Sequence, residues 1–390
     1  MMTSSIPRSF PACTEEFTAS MGHSRITILV LYYVMAVLVQ YPGTKTYRIA
    51  LLPLIFQVAF TAVTAIDCDI AENPSLVSAP AMFVIVMRTS AWTIEHRYLQ
   101  RGRYGCRTYP STSGFPSLRY TSWDALDLMV NLRNIGWVPG GKPPTYTSSL
   151  TTTRMTFLFM VVLRALFFAI TFDVSITFLR YIRSDGLPAG STIFESSHPL
   201  VISYLHTILL AYAALLAGFA FMSLLYSCVA FLGVSVLFQV PEQWPPLFDA
   251  PWRSTSLREL WSQRWHQLFQ ELFISLGSRP TNRVFGRPAG IIGAFLVSGV
   301  LHDVRLRGMG EGVDPKVTYG FFVFHGLAVI AEVVWKEKMK KDVGGWAGWV
   351  WTVITSTVSW CFLLDGCVHA GLLDTSHVQR ISDTILHAYL

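Results

Sequence analysis

The sequence STSLRELWSQRWHQLFQ, residues 254–270, is followed at a short distance by the apolar run GIIGAFLVSGVLHD, residues 290–303. The first segment is polar and rich in Trp and Arg. The second is as apolar as a membrane span and carries His302 near its end. We predict that the rest of the chain is a scaffold that holds these two segments together inside a bilayer.

The composition of the 390-residue chain is that of a membrane protein. Hydrophobic residues make up 52% of it and charged residues 14%, whereas about a quarter of a soluble protein is charged. The formal net charge is +6, but most Lys and Arg residues lie between apolar runs, which is typical of topology signals and not of nucleic-acid binding. The six cysteines form no CxxC pair, so neither a disulfide framework nor a metal site is predicted.

The apolar runs predict an all-α, polytopic transmembrane helical bundle of about eight spans with interfacial amphipathic helices. The runs lie at 26–40, 47–66, 76–92, 155–181, 200–240, 288–304, 317–335 and 346–372. One run is too long for a single crossing, because a helix of about 41 residues would be roughly 60 Å long. We expect this tract, residues 200–240, to bend or to contain two segments.

Charged loops predict the sidedness. The Arg-rich segments 93–154 and 241–287 are predicted to be cytosolic and both termini lumenal, so the 200–240 tract should contribute an odd number of spans. This divides the chain into a polar N-terminal segment (1–24), a transmembrane domain (25–375) and a C-terminal tail (376–390). Within the first loop, residues 122–137 show helical spacing of apolar side chains and predict an amphipathic helix at the membrane interface.

A helix is predicted at residues 256–273, because Ser256 and Glu259 form a capping box. Its leucines and tryptophans share one face, and His266 lies opposite, on a polar face. The helix would lie at the interface with its apolar face buried and present His266 on its polar face. The alternative is a solvated histidine beside the tryptophans of the aromatic belt.

His302 is the sharper candidate. It ends an apolar run, with Ser298 one turn before it, and an ionisable group at membrane depth is costly unless it faces a cavity or a partner. Burial favours the neutral imidazole, which is the form that a general base needs. The alternative is that His302 marks the lumenal end of its helix, since Asp303 and Arg305 follow. The histidines at 325 and 369 are predicted to be packed helix residues.

The pairing of SLRELWSQRWHQ with FLVSGVLHD resembles the wax synthase-like branch of the membrane-bound O-acyltransferases, in particular fungal members that acetylate hydroxyls of terpenoid and other secondary metabolites. The segment DLMVNLRNIGW, residues 127–137, is similar to a stretch of those proteins. The resemblance implies that His302 is the family's intramembrane catalytic histidine. His266 takes the position where many members of the wider superfamily carry Asn, which is a departure from their pattern.

The resemblance also implies the chemistry. An acetyl group would pass from acetyl-CoA, a co-substrate and not a bound cofactor, to the hydroxyl of a hydrophobic alcohol. His302 would accept the hydroxyl proton, and His266 would position the thioester or donate to the oxyanion. A rival mechanism makes Ser298 a nucleophile. The candidates for substrate or CoA binding are Arg264, Trp265, Arg258, Trp261, Ser298 and Asn131, with Arg253 and Lys142 as further cations.

Other functions remain open at this point. A wax or sterol ester synthase would use long-chain acyl-CoA, a small-molecule transporter would also place polar residues within spans, and the chain could be an inactive scaffold. The expected partners are acyl-CoA, a hydrophobic alcohol and the lipid bilayer, with no nucleic acid and no metal. The resemblance implies a multi-pass protein of the endoplasmic reticulum.

Overall fold

A computed structural model describes residues 15–64, 75–101, 118–138, 153–182, 190–194, 199–308 and 312–371. The helices are α1 (Glu15–Leu38), α2 (Lys45–Thr64), α3 (Ser75–Ile94), α4 (Leu118–Val130), α5 (Arg154–Ile182), α6 (Leu200–Ser235), α7 (Leu257–Glu259), α8 (Gln270–Phe273), α9 (Arg279–Arg307), α10 (Pro315–Met339) and α11 (Gly345–His369). Two short antiparallel strands, β1 (Gln100–Arg101) and β2 (Trp137–Val138), pair within the described part. The tail at 376–390 and Lys142 lie outside it.

The predicted polytopic helical bundle is confirmed. Six helical stretches of the described chain are long and apolar enough to cross a membrane, and two shorter apolar helices, Ser24–Leu38 and Ala79–Ile94, accompany them. Each of these eight stretches overlaps one of the eight apolar runs of the sequence, but six of them, and not eight, have the length and composition of a span. Backbone groups in a bilayer must be paired within the segment, which is why the apolar runs become helices.

Residues 200–240 do not divide into two helical segments. The tract forms one uninterrupted helix, α6, of 36 residues, which is about 54 Å long. It contains no proline and no Asp, Glu, Lys or Arg, and it is rich in Ala and Leu, so nothing interrupts the helical hydrogen bonds. One helix is still an odd number of crossings, as the loop charges require.

The segment 241–287 contains more helix than the single stretch predicted at 256–273. From residue 267 it forms a helical arm that continues into α9, and α9 itself is kinked at Gly286 (φ 81°, ψ 179°). The arm packs closely on α9, since a Cβ atom added at Gly277 would lie 2.2 Å from the Gly293 carbonyl oxygen. This contact requires glycine at position 277. The hydrophobic periodicity of the segment does not predict such a contact with another helix.

The amphipathic helix expected at 122–137 ends earlier, at Val130. Asn131 stops it, because its side chain accepts a hydrogen bond from the Ile135 backbone N–H (3.1 Å) and donates to the Ile135 carbonyl (2.8 Å). Helix α4 packs against α1, and its Ala125 and Leu128 are fully buried. The segment is therefore part of the core around the N-terminal helices as well as amphipathic.

A buried carboxylate ties this segment to the end of α6. Asp127 on α4 accepts hydrogen bonds from the side chains of Gln239 (2.7 Å), Gln243 (3.1 Å) and Trp137 (2.8 Å). These donors lie up to 116 residues away in sequence. Buried hydrogen-bonded networks of this kind specify one arrangement of the helices, because leaving any member unpaired is costly.

Candidate active site

A cavity of about 510 Å³ lies where α6, α9, α10 and α11 meet the segment 258–278. Its lining is mostly apolar and aromatic, and both His266 and His302 belong to it. Its volume falls within the range of ligand pockets, about 300–1,000 Å³. Along α9 the lining extends from Arg287 to Leu306, a rise of about 28 Å, which nearly equals the hydrocarbon thickness of a bilayer.

The ring of His302 is held by its own helix. Its Nδ1 lies 3.0 Å from the Ser298 carbonyl oxygen, and a carbonyl can only accept, so the Nδ1–H donates and Nε2 keeps its lone pair. Phe322 on α10 packs against the ring, with 4.8 Å between centroids. The imidazole is thus oriented with an unprotonated nitrogen in a water-poor cavity, as a general base requires.

His266 does not lie on the polar face of a continuous helix, as the sequence suggested. The chain breaks there: Trp265 is extended (ψ 146°), and His266 starts a short 3-10 turn. The break turns the imidazole into the cavity among aromatic rings. Phe248 and Phe269 flank it at 5.9 Å and 6.3 Å between centroids. Burial lowers the pKa of His266 well below its ordinary value, so the ring is neutral near pH 7.

The predicted start of the helix is confirmed. The Ser256 side chain accepts a hydrogen bond from the Glu259 backbone N–H at 3.0 Å, but the Glu259 carboxylate bonds to Thr255 and to Arg264 (2.7 Å). Burial alone would raise the pKa of Glu259, but these hydrogen bonds outweigh it, and the pKa lies below its ordinary value. α-Helical pairing ends at Glu259, a π-type turn follows from Leu260 to Arg264, and the helix breaks at Trp265.

A carboxylate from a different helix anchors this segment. Glu332 on α10 is buried and accepts hydrogen bonds from the backbone N–H groups of Leu257 (2.7 Å) and Arg258 (2.9 Å) and from the indole of Trp351 (3.0 Å). The N-terminus of a helix attracts negative charge. Glu332 therefore fixes the segment that carries His266, although it lies 66 residues further along the chain.

Replacing Glu332 with glutamine is expected to destabilise the protein by about 1.5–3 kcal/mol, because hydrogen bonds to a charged acceptor are replaced by weaker ones. Thermal unfolding in detergent measures the change. Glu337→Gln is the matched control on the same helix, since Glu337 is exposed and its nitrogen–oxygen distance to Arg287 is 3.9 Å. An equal shift in both variants would show that Glu332 is not an anchor.

The structure separates the predicted binding residues into two groups. Trp261, Trp265, Arg258 and Ser298 line the cavity. Arg264 is instead held by Glu259 and the Asp249 carbonyl, and Asn131 closes α4; neither of these two lines the cavity. Arg253 does not line it either.

Two further cations line the cavity that sequence reasoning did not select, Arg287 and Arg305. Arg305 follows His302 by three residues, and this spacing alone places both on one face of a helix. The sequence shows this three-residue spacing. Whether that face of α9 lines a cavity or the membrane surface depends on the neighbouring helices.

His325 is packed, as expected, because its Nδ1 bonds to the Phe321 carbonyl (2.9 Å) and its Nε2 lies 3.3 Å from the Ser359 hydroxyl. It is fully buried and contacts Trp261 without lining the cavity. His369 is not packed, as was predicted, but exposed near the end of α11. Among the described residues, no group of three or more His, Cys, Asp or Glu side chains could hold a metal ion.

A polytopic helical membrane protein with two histidines in one internal cavity is the class that this fold and site define. Residues 244–324 match the model of the membrane bound O-acyl transferase family. The matched region contains His266, His302 and the helix break at Trp265. The resemblance to this family that the motifs indicated is confirmed.

Individual relatives agree with the family match. The chain is 28% identical over 154 residues to a probable long-chain-alcohol O-fatty-acyltransferase 1 of Arabidopsis thaliana (36% of this chain, 43% of that protein). It is 31% identical over 115 residues to acetyltransferase spyB of Aspergillus fumigatus (27% and 20%). It is 26% identical over 315 residues to acetyltransferase ple2 of Rhodocybe pseudopiperita (77% and 76%). The matches thus span less than half of the Arabidopsis and Aspergillus relatives.

Proposed function

We propose that this protein is an acyl-CoA-dependent O-acyltransferase that moves an acetyl group to the hydroxyl of a hydrophobic small molecule, such as a terpenoid. The observation that carries the proposal is the cavity with two histidines, one of which has an oriented lone pair. The family match and the fungal relatives named acetyltransferase support it. The endoplasmic reticulum stays a prediction.

His302 acts as the general base in this mechanism. The acceptor hydroxyl lies against Nε2, and its oxygen attacks the thioester carbonyl carbon while its proton passes to Nε2. The imidazolium that forms keeps its Nδ1–H bond to the Ser298 carbonyl. That bond stabilises the charged ring because the carbonyl oxygen carries partial negative charge.

His266 serves as the donor to the oxyanion. Its Nδ1 is buried without a hydrogen-bond partner in the described part of the chain, so Nε2 is the ring nitrogen that can meet a ligand. In the neutral tautomer that carries its proton on Nε2, the buried Nδ1 has a lone pair and no N–H group. No donor is therefore left unpaired at Nδ1. A donor held in place before the reaction stabilises the negative charge that develops on the thioester oxygen.

The reaction then closes without an acyl-enzyme. The tetrahedral intermediate expels the CoA thiolate, which takes the proton from the His302 imidazolium. The products are the acetate ester and CoA, and the imidazole returns to its neutral form. Ser298 has no part as a nucleophile, because His302 contacts its backbone carbonyl and no contact with its hydroxyl is found among the described residues.

CoA is anionic, and we assign its phosphates to the end of the cavity with Arg258 and Arg287. Both side chains are exposed and line the cavity. Arg287 is about 22 Å from His302 along the axis of α9. The pantetheine arm of CoA separates its phosphates from the thioester. The distance between Arg287 and His302 leaves room for this arm. Guanidinium groups bind phosphate oxygens in pairs.

The test is to express the protein in a host without similar enzymes and to supply its membranes with acetyl-CoA and palmitoyl-CoA side by side, with a panel of terpenoid alcohols. We expect a mass gain of one acetyl group on an acceptor, at a rate at least about tenfold above palmitoyl transfer. Dominant palmitoyl transfer would instead indicate a wax ester synthase like the plant relatives. Uptake of the alcohol without any dependence on CoA would indicate a transporter.

A further inference from the structure

Arg305 lies beside the catalytic candidate on the wall of the cavity. It follows His302 by three residues on α9, a rise of about 4.5 Å, and both side chains line the same cavity. The side chain is accessible because it lines the cavity, whose lining is mostly apolar. Its neighbours in the lining include Leu306, Leu364 and Cys367, none of which is an anion at neutral pH in an apolar setting.

The guanidinium of Arg305 has no counter-ion within the described ranges. It makes no hydrogen bond and no ion pair there, whereas Arg307, two residues later, pairs with Asp303 at 3.0 Å. An unpaired cation in a low-dielectric cavity is costly. Natural sites tolerate that cost where a ligand supplies the missing negative charge.

CoA phosphates do not suit this position. Arg305 is one helical turn from His302, next to the reacting atoms, and the phosphates lie at the far end of the pantetheine arm. The cations that suit them, Arg258 and Arg287, line the opposite end of the cavity. Arg305 therefore faces the part of the cavity that remains for the acceptor.

We infer that Arg305 binds a carboxylate of the acceptor, which makes the preferred substrate a hydrophobic hydroxy acid. This inference rests on the proposed function, because it assumes that the acceptor hydroxyl lies at His302. The planar guanidinium pairs with a carboxylate through two parallel hydrogen bonds. With the carboxylate held there, the hydroxyl reaches His302 only if few bonds separate the two groups.

Equilibrium binding tests the inference without any turnover. The probes are 3-hydroxytetradecanoate and its methyl ester, and the protein is the full chain in nanodiscs of zwitterionic lipid. For the unmodified protein we expect the acid to bind about tenfold more tightly than the ester. Arg305→Met should abolish this preference while the affinity for the ester stays unchanged, and Arg305→Lys should keep part of it.

Arg307→Met is the matched control, because it also removes a cation from the last turn of α9. Arg307 pairs with Asp303 and does not line the cavity. It should keep the full preference for the acid. Equal binding of acid and ester by the unmodified protein would overturn the inference. So would an Arg305→Met variant that is less stable but keeps the preference, since that result would make Arg305 an anchor of the helix end.

The binding assay also separates this inference from the proposed function. A preference for the acid that depends on Arg305, together with no acetyl transfer to any hydroxy acid, would support the carboxylate subsite and refute the transferase. Transfer to neutral alcohols, together with equal binding of acid and ester, would support the transferase and refute the carboxylate subsite.

Discussion

Replacing His302 with alanine is expected to lower kcat for acetyl transfer by about 10²–10⁴-fold, the usual contribution of a general base. The variant removes the nitrogen that accepts the hydroxyl proton. It leaves the cavity open, because His302 is half-buried and packs mainly on Phe322. The measurement is steady-state transfer from acetyl-CoA in membranes with matched amounts of inserted protein.

Two controls make this result interpretable. His369→Ala removes an exposed histidine from another apolar run, outside the cavity, and should keep near-normal turnover. Ser298→Ala keeps the backbone carbonyl to which His302 donates, so it should lose less than about tenfold, the loss in rate for ~1.4 kcal/mol. If Ser298→Ala is as inactive as His302→Ala, the reaction proceeds through a serine nucleophile and the base mechanism is wrong.

The second large effect is expected at His266. Removing one preorganised oxyanion donor costs about 10²–10³-fold in kcat, and His266→Ala should fall in that range with little change in KM for acetyl-CoA. His266→Asn keeps an amide N–H in place of the imidazole and should retain part of the activity.

His266→Phe separates donation from packing. The ring lies between Phe248 and Phe269, so phenylalanine keeps an aromatic ring but offers no N–H group. We expect this variant to be as stable as the unmodified protein and as inactive as His266→Ala. An Asn variant that is worse than the Ala variant would show that His266 does not correspond to the Asn of other superfamily members.

The sequence predicts the spans well because hydropathy is a local property. Each apolar run of the sequence became a helix, and α2, α3 and α10 begin and end within two or three residues of their predicted runs, apart from the later end of α10. His302 was recognisable as a candidate for the same reason, since an ionisable residue in an apolar run is visible without any tertiary contact.

The segment around His266 was predicted less well. Its apolar spacing suggested one helix at 256–273, but the structure breaks it at Trp265. The Ser262 carbonyl accepts hydrogen bonds from the side chains of Gln267 (2.8 Å) and Gln270 (2.9 Å) across the break. Glu332 holds the start of the segment from α10. Helical periodicity carries no information about such partners.

Local chemistry determined the class of this protein: apolar runs long enough to span a bilayer, loop charges between them, and a histidine at the end of one run. The tertiary structure alone decided that His266 and His302 share a cavity and that Arg264 and Asn131 support the fold away from it. It also decided that Arg305 faces the cavity with no ion-pair partner among the described residues. The physical reason is distance along the chain. The cavity wall contains residues as far apart in sequence as Ala214 and Cys367. Which side chains face the cavity depends on how the helices pack, and no short stretch of sequence contains that information.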